Sequence, residues 1–144
     1  MTPVHHAPRP APPAARWLVP VLAALVALAA FAPAARANVS VIDNNKTIDV
    51  DCAKDPEVHL LGNHLTVTAK GVCSKITVEG NHTMVTGSAA TVHVAGSHNT
   101  LTLAAADDVT IDGNSNTVTV RKPIKRKAPR IANTGTDNKV TAPK

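Results

Sequence analysis

One short motif recurs six times between residues 39 and 141, and this repetition limits the possible folds more than any other feature. The motif reads apolar-x-apolar-x-Gly-Asn-x-x-x-apolar-Thr-apolar, with clear copies beginning at Val58, Ile76, Val92 and Val109. Chains that repeat one short unit usually build their core by stacking the units. The turn residue that indexes each copy falls at Asp43, Gly62, Gly80, Gly96, Gly113 and Gly135.

The apolar residues of each unit alternate with polar ones on both sides of the turn. Val58 and Leu60 precede the glycine of one unit, and Val67 and Ala69 follow it. Alternation of this kind, rich in β-branched residues, predicts half-buried strands. The Gly-Asn pair predicts a turn, because both residues tolerate a positive φ. Each unit is therefore expected to run strand, turn, strand, turn.

Two all-β architectures fit this pattern. The favoured one is a single-domain parallel β-solenoid of about six short coils, with equivalent residues stacked about 4.8 Å apart. The near-identity of consecutive units favours it, because stacked coils place like residues beside like. An antiparallel β-sandwich or barrel remains the alternative, because Gly-Asn is also a good hairpin turn.

The N-terminal segment has the composition of a secretory signal peptide. Residues 1–16 include Arg9 and Arg16 without an acidic residue, residues 17–32 are apolar, and Ala35-Arg36-Ala37 provides a cleavage site. A membrane span would need roughly 20 apolar residues, more than this run provides. The sequence therefore predicts a signal peptide at 1–37, a repeat domain at 38–141 and a tail at 142–144, in a periplasmic or extracellular protein.

The predicted mature chain lacks Phe, Tyr and Trp and contains two cysteines. Trp17 and Phe31, the only aromatic residues, lie in the predicted signal peptide. Their absence from the repeat domain argues against a stacking platform for single-stranded nucleic acid. Cys52 follows the first coil and Cys73 the second, so a single disulfide is expected to tie the open end of the stack in an exported protein.

The repeats resemble a known bacterial family. The segments GNHLTVT, GSHNTLTL and GNSNTVTV, the early cysteine pair and the closing IANTGTDNKVT are similar to domain-of-unknown-function family 3060. The resemblance covers roughly residues 39–141 and implies a small exported protein. This chain lacks the lipid-anchoring cysteine of many members and carries a basic insert at 121–130. The family has no established activity, so the resemblance leaves the function open.

Three histidines lie two residues after a repeat glycine, at His64, His82 and His98. In a solenoid they form a column on three successive coils, and imidazole is the commonest metal ligand in proteins. The column is therefore a candidate metal site. The competing interpretation is a set of polar turn residues in a column that continues as Asn45 and Ser115, without a carboxylate to orient the rings.

Threonine pairs after the turns provide a second candidate surface. Stacked coils would align them into ranks of hydroxyl and methyl groups, as in ice-binding solenoids. The competing interpretation is that threonine is simply a favoured residue on exposed strands. The pairs are Thr66 with Thr68, Thr100 with Thr102, and Thr117 with Thr119; Asp49, Met84 and Lys139 interrupt the ranks.

Charge is distributed unevenly along the repeat domain. Residues 38–120 have four basic against nine acidic residues, a net charge of −5, whereas residues 121–144 have eight against one, a net charge of +7. Clustered basic residues bind anionic polymers by releasing counterions. Pro123 and Pro129 predict a loop, which is either a contact for such polymers or a solvated loop near the acidic body. Its candidate anion-binding residues are Arg121, Lys122, Lys125, Arg126, Lys127 and Arg130.

No catalytic motif was found in the sequence, and no cofactor is implied. Asp107, Asp108 and Asp112 are better explained as turn acids than as a catalytic carboxylate pair. The sequence predicts a non-enzymatic structural or binding module at the bacterial envelope, with anionic polymers or lipid headgroups as partners of the basic loop. Ice binding and an enzyme acting on envelope glycans are the alternatives. End-to-end stacking of two copies is a possible homo-oligomer.

Overall fold

The computed structural model describes residues 37–144, which form strands and turns without a helix. None of these residues therefore provides a helix that could cross a membrane. Residues 1–36 of the predicted signal peptide lie outside the described range. The strands are β1 (Asn38–Val41), β2 (Thr47–Asp51), β3 (Glu57–Leu60), β4 (Thr66–Lys70), β5 (Cys73–Val78), β6 (Met84–Val94), β7 (Thr100–Ile111), β8 (Thr117–Val120), β9 (Arg130–Asn133) and β10 (Lys139–Thr141).

Every strand pair is parallel, and equivalent residues of consecutive repeats pair with each other. Val58 pairs with Ile76, for example, and Ile76 pairs with Val92. The parallel solenoid of six coils is therefore confirmed, and the antiparallel alternative is wrong. We call the side formed by β1, β3, β5, the ends of β6 and β7, and β9 face A. Face B consists of β2, β4, the starts of β6 and β7, β8 and β10.

The core is a narrow aliphatic column between the two faces. Inward residues of the central coils are almost completely excluded from solvent, as Leu60, Val94, Leu101 and Ile111 show with 0 % exposure. Burial of each such side chain stabilises the fold by about 1.5–3 kcal/mol relative to exposure. Only the outermost coils leave their inward residues partly exposed, because no further coil of the described chain covers them: Val39 and Ile48 at one end, Ile131 and Val140 at the other.

The turn glycines serve a different purpose from the one predicted. None of the five has a positive φ; that conformation occurs two residues later, at Asn45, His64, His82, His98, Ser115 and Asp137. The glycines are needed because the preceding coil lies too close for a side chain. A Cβ on Gly80 would lie 2.8 Å from the carbonyl carbon of Gly62, and the other four glycines stack in the same way.

The second turn predicted in each unit is absent from two coils. β6 and β7 continue from face B of one coil to face A of the next, so a bent strand replaces the turn. The pairing of these two strands shifts register between Gly87 and Ser88, which accommodates an extra residue at the bend. Small residues at this corner, such as Ala89 and Ala106, leave room for the bend in the core.

We predict that Gly96→Ala destabilises the protein by at least about 3 kcal/mol, because the new Cβ would overlap the carbonyl of Gly80 and force neighbouring coils apart. Gly71→Ala is the matched control. Gly71 has a φ of 82° but has open space around its Cβ position, so only backbone strain of about 1 kcal/mol is expected. Urea denaturation monitored by circular dichroism measures both. Equal losses in the two variants would contradict the steric role of the glycine column.

Candidate functional site

The basic loop, residues 121–130, is attached to the solenoid through its backbone. The N–H groups of Ile124, Lys125 and Arg126 donate hydrogen bonds to the carboxylate of Asp107, with shortest distances of 2.8, 2.9 and 3.3 Å. Asp107 lies near the bend of β7 and is only 5 % exposed. Three converging donors satisfy this carboxylate in place of water, so one side chain fixes the course of the loop.

These hydrogen bonds also keep Asp107 ionised. The pKa of Asp107 is lowered from its ordinary value of 3.8, chiefly by the backbone hydrogen bond from Lys125. Desolvation opposes this effect, whereas the N–H groups of Ile124 and Arg126 and the charge of Arg126 add to it. Donors to a carboxylate favour its charged form, so the attachment is strongest when Asp107 is deprotonated.

The side chains of the loop are largely free for contact. Arg126 forms a salt bridge with Asp108, at 3.1 Å between Nη2 and Oδ2. Within residues 37–144, the other five basic side chains of the loop form no salt bridge. All five residues are exposed: Arg121, Lys122, Lys125, Lys127 and Arg130.

The predicted disulfide between Cys52 and Cys73 is confirmed. It joins the ends of the first two coils, with Cα atoms 4.7 Å apart, and both residues are buried. A disulfide is typical of proteins that fold outside the reducing cytoplasm, so it is consistent with export.

A groove of about 370 Å³ separates this cross-link from the basic loop. Pro56, Val72 and both cysteines line one side, and Ile124 and Lys125 line the other. Val72 is 55 % exposed. The loop therefore extends over the corner of the solenoid as far as the disulfide-linked coils.

The three histidines form the predicted column. The ring centroids of His64 and His82 are 4.9 Å apart, those of His82 and His98 are 5.0 Å apart, and adjacent planes are parallel within 3°. A metal ion with bonds of about 2.0–2.1 Å spans nitrogens at most about 4 Å apart, so the stacked rings would have to rotate to share an ion. Residues 37–144 contain no preformed cluster of three or more metal-binding side chains. The metal site stays a prediction.

The threonines align into two rows on the outer surface of face B. One row starts at Asp49 and continues as five consecutive threonines, at Thr68, Thr86, Thr102, Thr119 and Thr141. The other row has Met84 and Lys139 among its threonines, at Thr47, Thr66, Thr100 and Thr117. The predicted rank is thus present, and one of its two rows is unbroken over five coils.

Sequence reasoning identified the basic side chains but missed their anchor. It treated Asp107 as an ordinary turn acid, whereas the structure places it at a buried strand bend. The position of Asp107 in the repeat could have revealed this role. Asp107 lies at a corner of the solenoid, and the insert occupies the same corner one repeat later. An acid directly beneath a long insertion is well placed to accept hydrogen bonds from it.

These features define a class of protein: a small, disulfide-linked parallel β-solenoid with a basic loop fixed to one corner. The family model described as "Protein of unknown function (DUF3060)" matches residues 81–137, a segment that includes the basic loop. The match confirms the resemblance predicted from the repeats. No curated protein and no solved structure matches the chain.

We predict that the basic loop detaches at low pH. The folded-state pKa of Asp107 is lowered, so its stabilising contribution is complete above the unfolded value, about 4, and is lost as the pH falls through the lower folded value. NMR titration of the Ile124, Lys125 and Arg126 amides should report this transition below pH 3.8. Amide shifts that stay constant while Asp107 protonates would contradict the attachment.

The same attachment can be tested at neutral pH with a matched pair of variants. Asp107→Asn should accelerate tryptic cleavage within residues 121–130, because the amide presents fewer acceptor lone pairs to the three N–H groups. Asp108→Asn removes only the exposed pair with Arg126 and should change the cleavage rate little.

Proposed function

We propose that this protein is an exported, non-enzymatic binding module at the bacterial cell envelope, and that its basic loop contacts anionic polymers or lipid headgroups. The observation that carries the proposal is how the loop is held. Asp107 binds backbone N–H groups, so five of the six basic side chains remain unpaired in the described chain. A loop held in this way presents its charges without neutralising them.

The charge distribution gives the protein a preferred orientation at an anionic surface. Residues 121–144 have a net charge of +7, whereas residues 38–120 have a net charge of −5. An anionic membrane or wall polymer attracts the loop and repels the remaining acidic body. Each basic residue near an anionic lipid surface contributes about 1 kcal/mol, and the attraction falls off within a Debye length. Binding should therefore weaken steeply as salt is added.

The composition of the solenoid supports an electrostatic contact. Residues 38–144 contain no Phe, Tyr or Trp, so the large aromatic rings on which bases and sugars usually stack are absent from this segment. The densest cluster of groups suited to a macromolecular anion is the basic loop. Export, which the disulfide supports, would place it among lipid headgroups and wall polymers.

The test compares two triple variants with the same net charge. Lys125→Ala/Arg126→Ala/Lys127→Ala removes three charges from the loop, and Lys46→Ala/Lys54→Ala/Lys75→Ala removes three from the body. We expect the loop variant to lose at least about tenfold in affinity for vesicles containing anionic lipid, because each charge contributes up to about 1 kcal/mol. The body variant should bind like the wild type or slightly less tightly, because its acidic body is repelled a little more strongly. Cosedimentation with anionic and neutral vesicles, and with heparin as a polymer probe, measures the difference.

Undiminished binding by the loop variant would refute the role of the loop. Equal losses in both variants would show that net charge alone determines binding.

A second candidate function, ice binding, is favoured by the threonine rows of face B. Parallel pairing places consecutive threonines of a row about 4.8 Å apart, and two residues along a strand place the rows about 7 Å apart. Five consecutive threonines of one row keep this spacing from the second coil to the sixth. A flat, regular array of methyl and hydroxyl groups suits an ordered water lattice.

Thermal hysteresis of the purified protein tests this second candidate. If face B binds ice, Thr102→Tyr should abolish the activity, because one bulky side chain in the centre disrupts the flat array. Thr110→Tyr, on face A, should leave it intact. Absence of hysteresis and of recrystallisation inhibition in the wild type would dismiss the function.

A further inference from the structure

Both ends of the described solenoid present unpaired strand edges. At the N-terminal end β1 pairs only with β3, and β2 only with β4. At the C-terminal end β9 pairs only with β7, and β10 only with β8. Open strand edges are templates for further pairing. A repeat protein whose two ends fit each other is exposed to head-to-tail association, which does not close and produces filaments.

Charge would assist such an association rather than prevent it. The first coil contains three acidic residues, Asp43, Asp49 and Asp51, and one basic residue, Lys46. The last coil and tail contain Arg130, Lys139 and Lys144 against Asp137. An acidic end that meets a basic end is attractive, so a barrier to assembly must have another physical origin.

The glycine column provides that barrier. In coils two to six, the turn glycine packs directly on the carbonyl group of the equivalent residue in the preceding coil. A Cβ on Gly62 would lie 2.7 Å from the carbonyl carbon of Asp43, and a Cβ on Gly135 would lie 2.7 Å from that of Gly113. Real Cβ atoms essentially never approach a heavy atom within 3.0 Å. Every coil that stacks on a preceding one must therefore have glycine at this position.

The first coil alone departs from this rule, because Asp43 occupies the glycine position. Its backbone follows the same course as the later turns: Val41 pairs with Leu60, and Asn45 has a φ of 55°, close to the values of 56–58° at the equivalent histidines. The side chain of Asp43 is tolerated because no coil of the described chain precedes it. It occupies the space that the carbonyl of a preceding coil would require.

We propose that Asp43 closes the N-terminal edge of the solenoid to the C-terminal edge of a second copy. In-register stacking would bring the Gly135 carbonyl of the incoming copy onto the Cβ of Asp43. The later coils avoid this overlap because glycine has no Cβ. The end-to-end homo-oligomer suggested by the repeats is thereby blocked in its simplest geometry. This inference is independent of what the basic loop binds.

The decisive variant is Asp43→Gly, which removes the Cβ and restores the repeat. Sedimentation velocity of the protein isolated from an exporting host should show that its mass increases with concentration from one chain to several. The wild type should remain a monomer. Asp43→Ala is the matched control, because it removes the charge but keeps the Cβ, and it should also remain a monomer.

Cross-linking tests the register of the assembly. In a head-to-tail stack, residue 139 of one copy would lie beside residue 47 of the next, as Lys139 lies beside Thr117 within the chain. Thr47→Cys/Lys139→Cys should therefore form a ladder of disulfide-linked oligomers with Asp43→Gly and none with Asp43→Ala. Neighbouring Cα atoms about 4.8 Å apart are within disulfide range.

Three results would overturn the proposal: head-to-tail assembly of the wild type, equal assembly of Asp43→Ala and Asp43→Gly, or a monomeric Asp43→Gly. Thermal denaturation shows whether a monomeric Asp43→Gly variant is correctly folded. Asp43 lies at an exposed edge, so Asp43→Gly should melt within a few degrees of the wild type. A variant that is folded and still monomeric at the highest attainable concentration shows that the Cβ is not the barrier.

Discussion

The close contact between each turn glycine and the carbonyl group of the coil before it is the constraint on which the rest of the structure depends. It allows consecutive turns to stack at the spacing of parallel strands, so both faces keep their register over six coils. With that register fixed, aliphatic residues stack on aliphatic residues and the core needs no large side chain. The inward positions are accordingly filled by Val, Ile, Leu and Ala, with no Phe, Tyr or Trp among residues 38–144.

Stacked turns also solve a hydrogen-bonding problem. Some backbone groups of the turns pair with the backbone of the next coil, as the N–H of His64 donates to the carbonyl of Asn81 at 2.9 Å. Asparagine side chains of neighbouring coils provide further partners. The Oδ1 atom of Asn63 accepts from the backbone N–H of Asn81, at 2.9 Å. Deeper in the turn, Asn116 is fully buried and donates to the carbonyl of Gly96, also at 2.9 Å. Such ladders satisfy polar groups that would otherwise oppose burial.

Sequence reasoning succeeded wherever the repeat alone determined the structure and failed where a contact between coils determined it. Alternation around Val58 and Leu60 predicted strands, and near-identical units predicted parallel stacking. The sequence spacing cannot show whether Gly80 is needed for close approach of the coils or for a positive φ, because either requirement selects glycine. Likewise the roles of Asp107 and Asp43 can be recognised only when the positions of the neighbouring coils are known. Asp107 lies under an inserted loop, and Asp43 occupies a position that is glycine in every later coil.

The polarity of the glycine contact explains why a steric stop belongs on the first coil. A side chain at this position points toward the preceding coil, never toward the following one. At Gly135 it would collide with Gly113 of its own chain and disrupt the fold. At position 43 it projects outward from the first coil of the described stack, where no coil of residues 37–144 meets it and an incoming copy would. A single Cβ can therefore restrict assembly at one end without destabilising the coils, and the contact that spaces the six coils also decides whether another copy can stack on the first of them.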